Sequence, residues 1–157
     1  MSEAYRKPSE CQREWAAAPP QSRRDVLLRA AQILVERKDE VAGRLIRETG
    51  GTHGKANTEW QLVHEGTLEA ATYPFRMAGE ILPCSIPGKR SRVYCRPVGV
   101  VGFISPWHFS LQLTNRSVAP ALAVGNAVVL KPASTTPVTG GLLFAKIYEE
   151  AGLPPAS

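Results

Sequence analysis

The sequence predicts an α/β fold in three parts: a helical segment over residues 1–82, a β-hairpin over 83–97, and the first β-α-β-α half of a doubly wound, Rossmann-like unit over 98–157. Three observations predict it. Val98, Val100, Val101, Phe103 and Ile104 form a nearly unbroken apolar run, and Ala127 to Leu130 form a second, which suits parallel strands covered on both faces. Apolar residues at helical spacing fill the stretch between these runs and the stretch after them. Before residue 82 helical spacing recurs without strand-like runs, so the alternation begins late in the chain. A half-unit of two strands is an incomplete fold, with strand edges and helix faces that call for a partner.

Residues 1–20 are polar, with an alanine-rich patch, Glu14 to Ala18, that reads as a short helix ended by Pro19-Pro20. Ser22 is the expected N-cap of a helix with Val26, Leu27, Ala30, Ala31 and Leu34 on one stripe. Asp39 begins the next, which carries Val41, Ala42, Leu45 and Ile46 and closes at Gly50-Gly51. Thr52 opens a third, in which Trp60, Val63, Leu68 and Ala71 keep the period and Pro74 introduces a kink before Phe75, Met77 and Ile81. Such stripes are core faces before they are partner grooves. Gly88-Lys89 then marks a turn between two extended runs, Cys84-Ser85-Ile86 and Ser91 to Cys95, which makes a hairpin.

Pro106 offers no N–H and restricts Ser105 to extended geometry, so the first apolar strand ends there and a loop, residues 106–110, follows. Leu111, Val118, Ala119, Leu122 and Ala123 define a helix, with Pro120 as a kink or a fresh first turn, and Gly125-Asn126 stops it. Lys131-Pro132 ends the second strand. Residues 137–152 form a second helix with Leu142, Leu143, Ile147 and Ala151 on one side. A right-handed crossover brings Ile104-Ser105-Pro106-Trp107 and Lys131 to one edge of the sheet, where open α/β sheets bind ligands. From these residues alone the chain is a nucleotide-binding half-domain. The Lys131 ammonium can reach a ribose hydroxyl or phosphate there, although a solvent lysine ending a strand fits the pattern equally well.

Composition narrows the classes. The 157 residues suit one domain, and the 19 basic and 14 acidic residues are mixed along the helices, which marks solvated faces. No basic run is interleaved with stacking aromatics, so nucleic acid is not an expected partner. Cys11, Cys84 and Cys95 are odd in number and far apart, and His53, His64 and His108 make no ligand pair, so neither a disulfide framework nor a metal site is expected. No apolar run approaches the roughly 20 residues that span a bilayer, and no signal-peptide core is visible. The expectation is a cytoplasmic chain with no membrane partner.

VGVVGFISPWHF, followed by APALAVGNAVVLKPAS, TP and EEAGLP at fixed spacing, closely resembles the cofactor-binding segment of the aldehyde dehydrogenase superfamily. NRSVAPALA, KPAS and TPVTGG are most similar to members acting on aromatic aldehydes such as benzaldehyde or vanillin. The resemblance implies oxidation of a small-molecule aldehyde to an acid through a thiohemiacetal and a thioester, with hydride passing to NAD or NADP. It also implies that Ile104, Ser105, Pro106 and Trp107 line the cofactor cleft and that Lys131 contacts the adenosine ribose. Ser134 stands where many NAD-preferring members have a glutamate that would repel a 2′-phosphate, so serine leaves NADP open. His108 takes the place of the usual oxyanion-stabilising asparagine. An imidazole can donate one N–H, with a different reach and tautomer, and a structural histidine is the equal alternative. Ser110 replaces the usual proline. Similar hairpins join a subunit-bridging sheet, which implies a homo-oligomer.

GxGxxG is absent, as in the resembling family, which binds dinucleotide without it. The family's cysteine nucleophile and glutamate base have no counterpart here, and Cys11, Cys84 and Cys95 read as structural. The chain therefore reads as the N-terminal portion of an NAD(P)-dependent aldehyde dehydrogenase, inactive alone and missing a C-terminal half. The alternatives are a non-catalytic nucleotide-binding or subunit-interaction module and a non-functional truncation.

Overall fold

A computed structural model describes residues 3–154. Four helices come first: α1 (Glu3–Ala17), α2 (Pro20–Glu36), α3 (Lys38–Thr49) and α4 (His53–Ala70). A 3₁₀ turn, Tyr73–Phe75, leads to an antiparallel hairpin of β1 (Glu80–Leu82) and β2 (Ser91–Val93). Then come β3 (Val100–Ile104), α5 (Ser110–Ala123), β4 (Ala127–Lys131), a wide π-type turn over Val138–Leu142, and α6 (Leu143–Glu150). The order agrees with the α/β reading, and β3 and β4 pair in parallel.

Several local expectations need correction. The first helix is far longer than the alanine patch and contains Pro8. Tertiary bonds hold it: the Trp15 indole N–H donates to the Leu122 carbonyl at 2.8 Å, and the Gln12 amide donates to the Gly125 carbonyl at 2.9 Å. Ser22 caps nothing, because Pro19 and Pro20 already open α2 and proline's fixed φ suits a first helical turn. Gly50, at φ 67°, does close α3, and Thr52 does cap α4 by accepting the Lys55 N–H at 3.2 Å. The buried stripe of α4 is rotated from the expected one. It runs through Ala56, Glu59, Val63, Thr67 and Ala70, leaving Leu68 exposed. Pro74 sits in the separate 3₁₀ turn after α4 has ended and kinks no helix.

The hairpin is also shifted. Leu82 pairs with Ser91 and Glu80 with Val93, so Cys84-Ser85-Ile86 lies in the connecting loop and the first strand precedes it. Residues 137–152 do not form one regular helix. The π-type turn inserts extra backbone before α6, and this rotates Leu142 to the surface while Leu143 and Ile147 stay buried. Nor are the parallel strands covered on both faces. Val98 precedes β3 and is exposed, Ile104 is exposed, and β3 and β4 are elsewhere half-buried at best. The core lies between the helices, with Leu27, Leu34, Val41, Leu45, Val63, Leu111, Phe144 and Ile147 fully enclosed and Phe103, Val128 and Leu130 of the sheet packed against it.

The two ends of α5 are tied down by the N-terminal helices. At its C-terminus the Arg23 guanidinium, buried and with its pKa lowered by that burial, donates to the Ala123 carbonyl at 3.1 Å and to the Ala16 and Ala18 carbonyls. A cation at a helix C-terminus also complements the helix dipole. Asn126 adds a bridge, its amide donating to the Ala121 carbonyl while its oxygen accepts the Gly99 N–H, which links the end of α5 to the start of β3.

Candidate functional site

The two parallel strands end together. Ile104 pairs with Lys131 in register, and the Ser105 N–H donates to the Lys131 carbonyl at 3.0 Å, so pairing runs one residue beyond β3. Pro106 has no N–H to extend the ladder, and the chain turns away. Ile104 is 74% exposed and Trp107 60%, and the side chains of Pro106, His108, Lys131 and Ser134 also face solvent. Ser105 differs. The whole residue is buried, with its hydroxyl 2.7 Å from the Thr114 hydroxyl, so it supports the edge from beneath.

A polar seam lies beneath. The Thr114 hydroxyl is 2.9 Å from the Gly140 carbonyl, and the Ser110 and Thr139 hydroxyls are 2.7 Å apart. Ser105, Thr114, Ser110 and Thr139 thereby join the end of β3, the first turns of α5 and the π-type turn into one hydrogen-bonded unit. A proline at position 110 could make no such bond, which gives Ser110 a role here. His108 stands between two aromatic neighbours, edge-on to Trp107 at 6.1 Å and to Phe109 at 6.3 Å.

Two carboxylates that sequence reasoning passed over dominate the electrostatics. Glu59, fully buried on α4, accepts the Leu111 N–H at 2.9 Å and the Gln112 N–H at 3.3 Å, which are first-turn donors of α5. Glu48, near the end of α3, accepts the Val138 N–H at 2.8 Å, the Thr139 N–H at 2.6 Å and the Thr139 hydroxyl. Neither helical segment has a capping side chain of its own. The sequence signalled neither: the stripe expected for α4 left Glu59 out, and only the rotated stripe Ala56, Glu59, Val63, Thr67 puts it inside, where a carboxylate must be paired.

Helix N-termini after the strands of a doubly wound sheet are the usual seats of phosphate. Here both are taken by protein carboxylates, and a second anion at either would meet like charge. The edge instead presents an ammonium, an imidazole, a hydroxyl and the apolar faces of Ile104 and Trp107. That set suits a flat ligand bearing hydroxyls, such as a nucleoside, whose phosphates find donors elsewhere. Among the described residues no group of three His, Cys, Asp or Glu side chains could hold a metal, and no helix is long and apolar enough to cross a membrane. The cysteines belong to other regions: Cys11 to α1, Cys84 to the hairpin loop and Cys95 to the segment that follows β2, where its thiol donates to the Ala78 carbonyl. An apolar groove of about 420 Å³, lined by Trp15, Leu122, Val128, Phe144 and Tyr148 among others, lies beside β4, and none of the strand-end residues faces it.

The profile of the aldehyde dehydrogenase family matches residues 1–157. The chain belongs to that family. Its sequence is 54% identical over 151 residues to a vanillin dehydrogenase of Corynebacterium glutamicum, covering 96% of this chain and 31% of that protein. It is 46% identical over 154 residues to a benzaldehyde dehydrogenase of Bacillus subtilis, covering 98% of this chain and 32% of that one. The crystal structure of an NAD-dependent benzaldehyde dehydrogenase from Corynebacterium glutamicum superposes with a TM-score of 0.94 at 53% identity, over 98% of this chain and 33% of that one. The chain thus spans about a third of the length of the aldehyde dehydrogenases it matches. Within that third the backbone is that of the family, and the resemblance read from VGVVGFISPWHF and KPAS is confirmed.

Proposed function

We propose that the chain forms part of an NAD- or NADP-dependent aldehyde dehydrogenase acting on an aromatic aldehyde, and that its share of the work is the strand-end edge holding the adenosine side of the dinucleotide. The observation that carries this reading is the in-register pair Ile104 and Lys131, which ends the two strands together, with the exposed Lys131 on one and the segment leading to the exposed Trp107 on the other. Lys131 donates to a ribose hydroxyl, Ile104 and Trp107 offer apolar surface, and Ser134 leaves room for a 2′-phosphate. The bound dinucleotide supplies the hydride acceptor. In this reading His108 donates an N–H toward the aldehyde oxygen, and the thiolate and the base come from polypeptide outside these 157 residues. The vanillin and benzaldehyde specificity of the relatives supports an aromatic substrate.

Calorimetric titration with NAD and with NADP tests the reading directly. Saturable binding that weakens at least about tenfold, or about 1.4 kcal/mol, in Lys131→Ala is the expected result. A folded chain that binds neither dinucleotide overturns it.

A second reading rests on the hairpin. Ile81 is 77% exposed and Tyr94 66%, and β1 and β2 form a two-stranded sheet whose outer edges are unpaired. Such an edge recruits a further strand, so the hairpin serves as the subunit contact of a homo-oligomer. A chain that self-associates, loses that association in Ile81→Lys and never binds dinucleotide is an interaction module.

A further inference from the structure

We infer that Lys55 and Glu59 are positioning residues for the loop 106–109, acting through Phe109 to hold His108 and Trp107 at the strand-end edge. The inference rests on the cofactor-edge reading above and adds what fixes that edge.

Glu59 is fully buried and divides its carboxylate between two tasks. One oxygen caps α5 through Leu111 and Gln112, and the other receives the Lys55 ammonium at 3.1 Å. The two residues lie four apart on α4, so they share a face. The same ammonium lies 4.4 Å from the centroid of the half-buried Phe109 ring, within the range of a cation–π contact. Phe109 occupies the N-cap position of α5: its carbonyl accepts the Leu113 N–H at 2.8 Å, and its ring takes the contact with Lys55. From Phe109 the chain of contacts runs edge-on to His108 and from His108 to Trp107.

The arrangement does more than complete the core. A buried carboxylate could be matched by any cation, and an apolar N-cap ring could rest on any aliphatic side chain. Here one ammonium does both, so the start of α5 and the aromatic loop move as a unit. Loops that line a ligand edge are otherwise the parts of a fold that open most readily. Losing the ammonium frees Phe109 and leaves the Glu59 charge buried with only its two amide donors.

The test labels the chain with 5-fluorotryptophan, so that Trp15, Trp60 and Trp107 each give a fluorine NMR signal, assigned by Trp→Phe variants. In Lys55→Met the Trp107 signal is expected to shift or broaden while that of Trp15, distant in the core, stays in place. Lys55→Arg, which keeps the cation, is expected to restore it. A merely structural lysine lowers stability without displacing Trp107 selectively, so an unmoved Trp107 signal in folded Lys55→Met overturns the proposal. Should that variant not fold, Phe109→Leu removes the ring from the other side of the contact and leaves the Glu59 cap intact. It too must move Trp107, and a wild-type signal there overturns the proposal equally. NAD titration of the same wild-type sample separates the two readings. Absent binding removes the cofactor role, while the fluorine signals decide the positioning role independently.

Discussion

The Glu48 carboxylate accepts the Val138 N–H at 2.8 Å across 90 residues of sequence, so the last turn of α3 serves as the cap of the segment that leads into α6. A charge-assisted pair of amide bonds at a half-buried site contributes about 2 kcal/mol. Glu48→Ala should lower stability by that amount, read as a reduced urea midpoint with an unchanged slope. Glu48→Gln, which still accepts one N–H, should recover part of it. An alanine variant that melts with the wild type removes the capping role.

Gly141 presses against Pro132, the residue after Lys131. A Cβ at position 141 would lie 2.8 Å from the proline Cγ and 3.2 Å from its Cβ, closer than packed carbons tolerate. Gly141→Ala must therefore push the Lys131-Pro132 turn outward, at a cost of about 1–3 kcal/mol for overpacking. The expected signature is twofold: a lower melting temperature, and weaker dinucleotide binding from a Lys131 that has moved. Unchanged binding in a destabilised variant would place the cofactor contact away from Lys131.

Arg37 joins the α2–α3 junction to α6 by donating to Glu40 at 2.8 Å and to Glu150 at 2.9 Å, and Arg44 donates to Glu40 from the other side at 2.9 Å. Hydrogen bonds from Arg37 first and Arg44 second hold the Glu40 carboxyl down from its ordinary 4.5 to about 2. A carboxylate with a lowered folded pKa stabilises fully above 4.5, and the contribution disappears as the pH falls through about 2. Glu40 is 36% exposed, so solvent screening keeps the effect below about 1 kcal/mol. Stability measured from pH 6 to pH 2 should fall less steeply in Glu40→Gln, and parallel curves would mean that the pair contributes nothing.

What was legible in the sequence is what depends on neighbours along the chain. The parallel strands announced themselves through apolar runs closed by Ser105-Pro106 and Lys131-Pro132, and Thr52 and Gly50 followed local capping chemistry. What failed depends on distant partners. Helix α1 is polar and carries Pro8, and it persists because Trp15 and Gln12 find carbonyls at the end of α5. Glu48 and Glu59 look like solvated helix charges until the fold brings the unpaired amides of α5 and the π-type turn onto them. Leu142 was placed on the wrong face because a π-type turn breaks the period on which the assignment relied. The site residues themselves were readable as positions. The caps and the Lys55–Phe109 contact that hold them were not, since nothing at those positions repeats.

Ser134 sits exposed on the turn after Lys131, where the edge would meet the 2′ position of the adenosine ribose in the proposed complex. A hydroxyl there is neutral to a 2′-phosphate, whereas a carboxylate would repel it and could accept a hydrogen bond from the free 2′-hydroxyl of NAD. Ser134→Glu should therefore weaken NADP binding by about tenfold relative to NAD. Because the turn is open to solvent, salt should narrow the difference, as it does for solvent-exposed charges. Stability should stay at the wild-type value, since the Ser134 side chain is exposed. Titrating both cofactors at low and high ionic strength reads all three expectations. If the ratio of the two affinities does not change, the 2′ position does not lie against this turn, and the adenosine must enter the edge in another orientation.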